Sequence, residues 1–255
     1  MANKSLLFHF RQFSIDQTHA GMKVGTDSDL LGTMAHGGSR ILDIGTGTGI
    51  LTLMMAQRFP DARLTAIEID ENAIIDATVN FSNSPWNDRI TLHHIALQDY
   101  TPQHKFDAIV CNPPYFDKSL ECPDIQRLRA RHTSSLPFST LVDKSYRMLD
   151  DGGLFSVCLP PEVLDDFCKL CYKQGFCLIE NNIILSLPDN PPKRYILVFQ
   201  KKGDESSRGS SCSRGSSNVK TNTYCMRNAD HSYSEWYKVQ LQDFLIGKIY
   251  QPSKQ

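Results

Sequence analysis

The sequence has no long hydrophobic run. Its 255 residues are 40% hydrophobic, but no stretch approaches the roughly 18–20 apolar residues of a membrane-spanning helix, so no membrane is expected as a partner. The N-terminal MANKSLLFHFRQF holds too short an apolar stretch for a secretory signal, and no small-residue cleavage site follows it. A cytoplasmic protein is expected. A charge excess is also missing: 27 Lys+Arg against 28 Asp+Glu leave a net charge of −1. A protein that grips nucleic acid through its overall field is basic, so any nucleic-acid partner has to be held by a local patch. A complete set of metal ligands is lacking too. Among eight cysteines, Cys168 and Cys171 form one C-x-x-C with no second Cys or His pair to complete it. Three residues apart in an amphipathic helical stretch, they share a face, and the cysteines are expected to be buried free thiols. No metal is expected.

What is present is the composition of a soluble domain with a sizeable core. The length fits one large domain with extensions. After a mixed segment, 1–38, strand-like and helix-like runs alternate. Strands are expected at Arg40 to Ile44, Arg63 to Ile69, Arg89 to Ile95, Phe106 to Cys111 and Leu154 to Leu159, with helices at Gly49 to Phe59, Glu71 to Phe81 and Pro137 to Leu149. Pro161 opens another helix, and Cys177 to Leu187 with Tyr195 to Gln200 read as a final antiparallel pair. Such alternation predicts an α/β fold, a doubly wound and mostly parallel sheet. Residues 203–230 are rich in Ser, Gly and Arg and read as a flexible linker, with an RNA-touching arm as the alternative. Helical periodicity returns over Ser234 to Ile249, read as a C-terminal helix, within 231–255, docked on the domain.

Two loops carry the chemistry. Asp43-Ile44-Gly45-Thr46-Gly47-Thr48-Gly49 follows a strand and opens a helix, and its glycines allow a tight turn and close approach of a ligand to bare backbone. The dinucleotide fingerprint would need a third glycine where Ile50 stands. What remains, D-x-G-x-G-x-G, resembles the loop of S-adenosylmethionine-dependent methyltransferases. Glu68, at the end of the second strand, is placed to take ribose hydroxyls, and Asp99, after the third, holds the position that contacts adenine in that class. The second loop is Asn112-Pro113-Pro114-Tyr115. Prolines stiffen it, so the Asn112 amide and the Pro113 carbonyl can act as paired acceptors for the N–H groups of a conjugated amine, while Tyr115 offers a stacking face. The element resembles the Asn/Asp/Ser-Pro-Pro-Tyr/Phe motif of amino-methyltransferases. Those act on adenine, on the guanine amine of ribosomal RNA or on glutamine in release factors, so the motif leaves the acceptor molecule open.

Phe10-Arg11-Gln12-Phe13, the stretch from Gln17 to Gly32, and Ala130-Arg131-His132 join these two loops in resembling the bacterial tRNA1(Val) adenine-N6 methyltransferase family. The resemblance implies a seven-stranded Rossmann-like methyltransferase sheet over 39–202, S-adenosylmethionine as cofactor, and adenine 37 of a valine tRNA as acceptor. By matching position, Asp43, Gly45, Gly47, Gly49 and Glu68 would hold the cofactor. Lys23 and Thr26 would close over it from a covering segment, 1–38, and Asn112, Pro113 and Tyr115 would carry the base. Glutamine methyltransferases of this motif carry a further helical domain before the sheet, and DNA adenine enzymes a separate recognition domain, so length weighs against both, though the glutamine enzyme stays an alternative. A guanine-amine enzyme and a non-catalytic RNA-binding protein on the same fold stay open.

The loop from Lys118 to His132 holds Lys118, Arg127, Arg129 and Arg131 against Glu121 and Asp124, an excess of +2 beside the base site. Either it meets RNA phosphates or it is a solvated surface. Lys4 and Arg11 could extend it, and His132 could stack on a base, support the arginines or pack. No obligate protein partner is expected.

Overall fold

The computed structural model describes residues 6–21, 23–114, 136–203 and 219–246. A small antiparallel hairpin, β1 (Leu7–His9) and β2 (Ser14–Asp16), precedes α1 (Thr26–Met34). The alternating series follows: β3 (Arg40–Ile44), α2 (Ile50–Arg58), β4 (Arg63–Glu68), α3 (Glu71–Ser82), β5 (Ile90–His94), β6 (Phe106–Cys111), α4 (Phe138–Met148), β7 (Leu149–Leu159) and α5 (Pro161–Gln174). The last elements are β8 (Phe176–Leu185), β9 (Pro192–Lys201), β10 (Lys220–Cys225) and α6 (Glu235–Leu241). Local chemistry sets several ends. Asp70 caps α3 by accepting from Ala73 N at 2.8 Å, Pro161 starts α5, and Gly175 stops it at φ 104°.

The sheet runs β10-β8-β9-β7-β6-β3-β4-β5. β9 is antiparallel to both neighbours and every other pairing in this sheet is parallel. Strand residues alternate between two cores. Leu42, Ile44, Ile109, Cys111, Phe155 and Val157 face α4 and α5, where Phe167, Phe176 and Phe199 join them. Ile41, Ala108, Val110 and Cys158 face the opposite layer with Leu30, Leu31, Met55 and Tyr237. A third cluster seats the hairpin, through Phe13 and Ile15, on Leu53, Ala77 and Phe81.

The expected doubly wound α/β sheet is present, with three departures. Among the described residues the sheet has eight strands rather than seven, because β10 pairs in parallel with β8 from Lys220↔Glu180 to Cys225↔Leu185. Residues 219–230 are therefore not linker: the exposed edge of β8 takes up the Thr- and Tyr-containing run as a strand, and Met226 is buried behind it. Residues 204–218 lie outside the described residues. The final helix ends at Leu241 rather than Ile249, because the chain turns and Leu245 forms an antiparallel bridge with Phe10. Cys111, Cys158, Cys168, Cys171 and Cys225 are free thiols; burial pushes those of Cys111, Cys158 and Cys171 well up, which suits core packing of the C-x-x-C pair. Cys177 departs from the free-thiol expectation and is disulfide-bonded. Among the described residues no helix is long and apolar enough to cross a membrane.

Candidate active site

The registers of three strands bring the two motif loops level. Ile44 lies opposite Ile67 of β4 and opposite Cys111 of β6. The residues that follow in each strand, Gly45, Glu68 and Asn112, therefore leave the sheet side by side. Later strands are added in opposite directions on the two sides of β3. Open α/β sheets bind ligands in the crevice at such a switch point.

Gly45, Gly47 and Gly49 have φ values of 69°, 57° and 86°, the left-handed region that side chains resist. A Cβ on Gly45 or Gly47 would meet nothing within 4 Å, so that face of the loop is open, whereas one on Gly49 would meet the Phe81 ring at 2.4 Å. The loop is fixed from below. The Thr46 and Thr52 hydroxyls each donate to Asp43 Oδ2 at 2.7 Å. Asp43 is buried, and its Oδ1 has no partner. Burial pushes its carboxyl up to about 6, opposed by the two hydroxyl bonds. Asp43 is thus the support on which the loop is folded.

Glu68 stands at the rim. Gly47 N donates to its Oε2 at 2.8 Å, and Ile69 N and Asp70 N donate to its Oε1 at 2.8 and 2.9 Å. Beside it a shallow pocket is walled by Ile69, Ala96, Leu97 and Gln98, and Ile69 is 46% exposed, an apolar surface for a flat ring. Asp99 does not line this pocket. The turn after β5, closed by Asp99 N and Tyr100 N on Ala96 O at 3.1 Å, buries Leu97 and Tyr100 and leaves Gln98 and Asp99 exposed, with Gln98 lining the pocket.

Asn112 donates from Nδ2 to Ser28 Oγ at 3.4 Å. Its Oδ1 is buried with no partner, and Pro113 behind it is buried. Ser28, on α1, is not singled out by the sequence; a Ser in a helix carries no local signal, and only docking of α1 brings it here. Lys23 and Thr26 have hydrogen-bond partners outside the glycine loop. Lys23 Nζ donates to Gln17 O and, at 3.0 Å, to Ala20 O, and Gln17 Oε1 accepts from Val24 N at 2.8 Å; together they close that segment on itself. Thr26 hydrogen-bonds Tyr237 of α6. Arg11 donates to Leu245 O at 3.1 Å and lines a cleft with Gln57 and Arg58, at the end of α2 away from the glycine loop, so it does not extend a patch at this site. Tyr115, Lys118, Arg127, Arg129, Arg131, His132 and Lys4 lie outside the described residues.

The first turn of α1 carries a further feature. Arg194 of β9 donates from Nε to Asp27 Oδ2 at 2.9 Å. Asp29 is 7% exposed, and its Oδ1 has no partner. Burial, and then the neighbouring Asp27, push its carboxyl up to about 7.

Comparison with known proteins places this geometry. The family described as methyltransferase small domain matches residues 13–157. A protein of Phocaeicola vulgatus named tRNA1(Val) (adenine(37)-N6)-methyltransferase is 42% identical over 200 residues, 78% of this chain and 85% of its own length. One of the same name from Pedobacter heparinus is 36% identical over 241 residues, 94% of this chain and 97% of its own. A predicted O-methyltransferase from Agrobacterium tumefaciens superimposes with a TM-score of 0.64 at 16% identity, over 86% of this chain and 96% of that one, a likeness of fold.

Two outcomes are expected. Gly49→Ala forces a side chain into left-handed backbone and against Phe81; the melting temperature should drop by several degrees, and calorimetric titration should show S-adenosylmethionine affinity reduced about tenfold or more. Asp29→Asn reports on pH. Because burial raises the Asp29 carboxyl, the native state keeps a proton that the unfolded chain loses from about pH 4 upward, so this group costs stability as pH rises to about 7. The variant should be more resistant to urea than the parent at pH 8, with the advantage gone by about pH 4.

Proposed function

Because the chain belongs to the tRNA1(Val) (adenine(37)-N6)-methyltransferase family and carries its methyltransferase small domain, we propose that it methylates the exocyclic N6 amine of adenine 37 in a valine tRNA. It is a methyltransferase, its cofactor is S-adenosylmethionine, and its substrate is tRNA. The observation that carries the assignment of the reacting centre is Asn112 Oδ1, a buried acceptor without a partner, level with the glycine loop.

The residues present fit the cofactor. The open face of Gly45 and Gly47 leaves room against bare backbone. Glu68 stands where ribose hydroxyls can replace one of its backbone donors, and the exposed side of Ile69 with Ala96 and Gln98 suits the adenine ring. The cofactor supplies a methyl group on a positively charged sulfur, ready for displacement by a nitrogen lone pair. The chain's part is to prepare that nitrogen. Adenine N6 is a poor nucleophile because its lone pair is delocalised into the ring. Asn112 Oδ1 and the Pro113 carbonyl each accept one of its N–H groups, drawing the nitrogen out of conjugation. Methyl transfer would break the methyl–sulfur bond as the N–C bond forms, leaving a positively charged nitrogen that would lose one N–H proton to water, while Asn112 Oδ1 and the Pro113 carbonyl would hold the amine in place. Such preorganised acceptors act strongly where water is excluded, and holding both reactants in line supplies the rest. Tyr115 is assigned the stacking face.

Lys118, Arg127, Arg129 and Arg131, with His132, are assigned to the RNA phosphates beside the flipped base. A near-neutral chain with one local basic excess is suited to modest, salt-sensitive affinity for tRNA in the cytoplasm and little for nucleic acid in general.

The decisive experiment incubates the protein with labelled S-adenosylmethionine and, separately, a valine tRNA with adenine or guanine at position 37, ribosomal RNA and a release factor. Label in N6-methyladenosine from the adenine-37 tRNA alone is expected; label in guanine or glutamine refutes the acceptor, and no label with any of them favours the non-catalytic reading. Asn112→Ala should lower turnover on the order of 10²–10³-fold while S-adenosylmethionine affinity is unchanged; near-normal turnover would refute the amine-polarising role. The Arg129→Ala, Arg131→Ala double variant should weaken tRNA binding and flatten its salt dependence while cofactor affinity stays the same; unchanged tRNA binding would remove these arginines from the RNA site.

A further inference from the structure

One buried amide joins the N-terminal segment to the glycine loop. Asn80, on α3, is 3% exposed. Its Nδ2 donates to Asp16 O and to Thr48 O, both at 2.8 Å, and its Oδ1 accepts from Asp16 N at 2.6 Å. Thr48 sits between two of the loop glycines, and Asp16 ends β2 of the N-terminal hairpin. One turn earlier on the same helix face, Asp76 is 1% exposed. Its Oδ2 accepts from His19 N at 3.0 Å and Ala20 N at 2.7 Å, and its Oδ1 lies 2.7 Å from His19 Nδ1. Two buried polar side chains, four residues apart, thus hold residues 16–20 by their backbone.

An amide in this position has consequences that an apolar residue would lack. A buried polar group stranded without partners bears its desolvation cost uncompensated. Both N–H groups of Asn80 are committed, one to the segment and one to the loop. Movement of either element strands part of the same amide, so each is held in place by the other. Asp76 touches only the segment among these contacts.

We propose that Asn80 is a positioning residue that makes the N-terminal segment part of the cofactor site. Docking of residues 16–20 sets the shape of the loop at Thr48, and S-adenosylmethionine bound against that loop tightens the segment in return, as reciprocal coupling requires. The proposal rests on the reading of the glycine loop as the cofactor site.

A double-mutant cycle on S-adenosylmethionine affinity tests it. Asp76→Ala loosens the segment without touching the loop. It should raise Kd for the cofactor about 5–20-fold, while kcat at saturating cofactor and tRNA stays within about twofold. Asn80→Ala should raise Kd at least as much, and adding Asp76→Ala to it should bring little further loss. If the two factors multiply, or if Asp76→Ala leaves Kd unchanged, the coupling is overturned. A parent protein with no affinity for S-adenosylmethionine would remove the reading of the loop, and the proposal with it; multiplying factors in a parent that binds would remove the coupling alone. Amide exchange on the unaltered protein gives a second readout that needs no variant. The Asp16, His19 and Ala20 amides should exchange more slowly with saturating S-adenosylmethionine, and equal rates with and without it would overturn the proposal.

Discussion

The structure depends on β3 being flanked on both sides by parallel strands. Four of its five residues are buried, so its register with β4 and β6 is strongly specified: a slip by one residue would turn Leu42 and Ile44 out of one core and Ile41 out of the other. That register sets Gly45, Glu68 and Asn112 in a row. The glycine loop, the Glu68 carboxylate and the Asn112 amide thus have their relative positions fixed by backbone hydrogen bonds. Loops placed by such a scaffold can be strained and polar, as three left-handed glycines and two unpartnered carbonyl-type oxygens are here, because the sheet holds them.

Around this centre the two ends of the described chain meet. Phe10 bridges Leu245, Arg11 N donates to Phe244 O at 2.8 Å, and Gln57 donates to Asp243 O at 2.9 Å. α1 lies between these ends and the site. It is tied to β9 by Asp27 and Arg194 and to α6 by Thr26 and Tyr237, and it reaches Asn112 through Ser28. The C-terminal strand and helix therefore support the acceptor side of the crevice, while α3 supports the cofactor side through Asn80 and Asp76. The acids carry the electrostatic cost of this arrangement. Asp43 and Asp29 are both pushed up by burial, each with an oxygen lacking a partner.

Much of this architecture is legible in the amino-acid sequence. The alternation of apolar runs points to the parallel sheet and the antiparallel last strand, because strands buried on both faces read as continuous hydrophobic stretches. The two loops are visible because their requirements are local: alternate glycines where φ must be positive, and prolines where an acceptor must be held still. Less legible are the neighbours of residues whose roles are inferred from matching position. Asp99 is one residue away from the pocket, because a tight turn after β5 decides which side chain lines it. Lys23 and Thr26 are expected at the cofactor, but their partners are Gln17, Ala20 and Tyr237.

The sequence alone carries the two motif loops, the alternate glycines after one strand and Asn112-Pro113-Pro114-Tyr115 after another, and with them the resemblance to one methyltransferase family. Those features are written in short stretches where backbone dihedrals and hydrogen-bond acceptors depend on neighbouring residues. Folding in three dimensions settles the rest: that residues 220–225 are a strand, that the last helix stops at Leu241, and that Asn80, Asp76 and Ser28 stand around the site. Each of these rests on partners 32 to 235 residues away in the chain. A Thr-rich strand satisfies its backbone only when β8 offers an edge, and an Asn in a helix reveals its purpose only when two separate segments bring it their carbonyls.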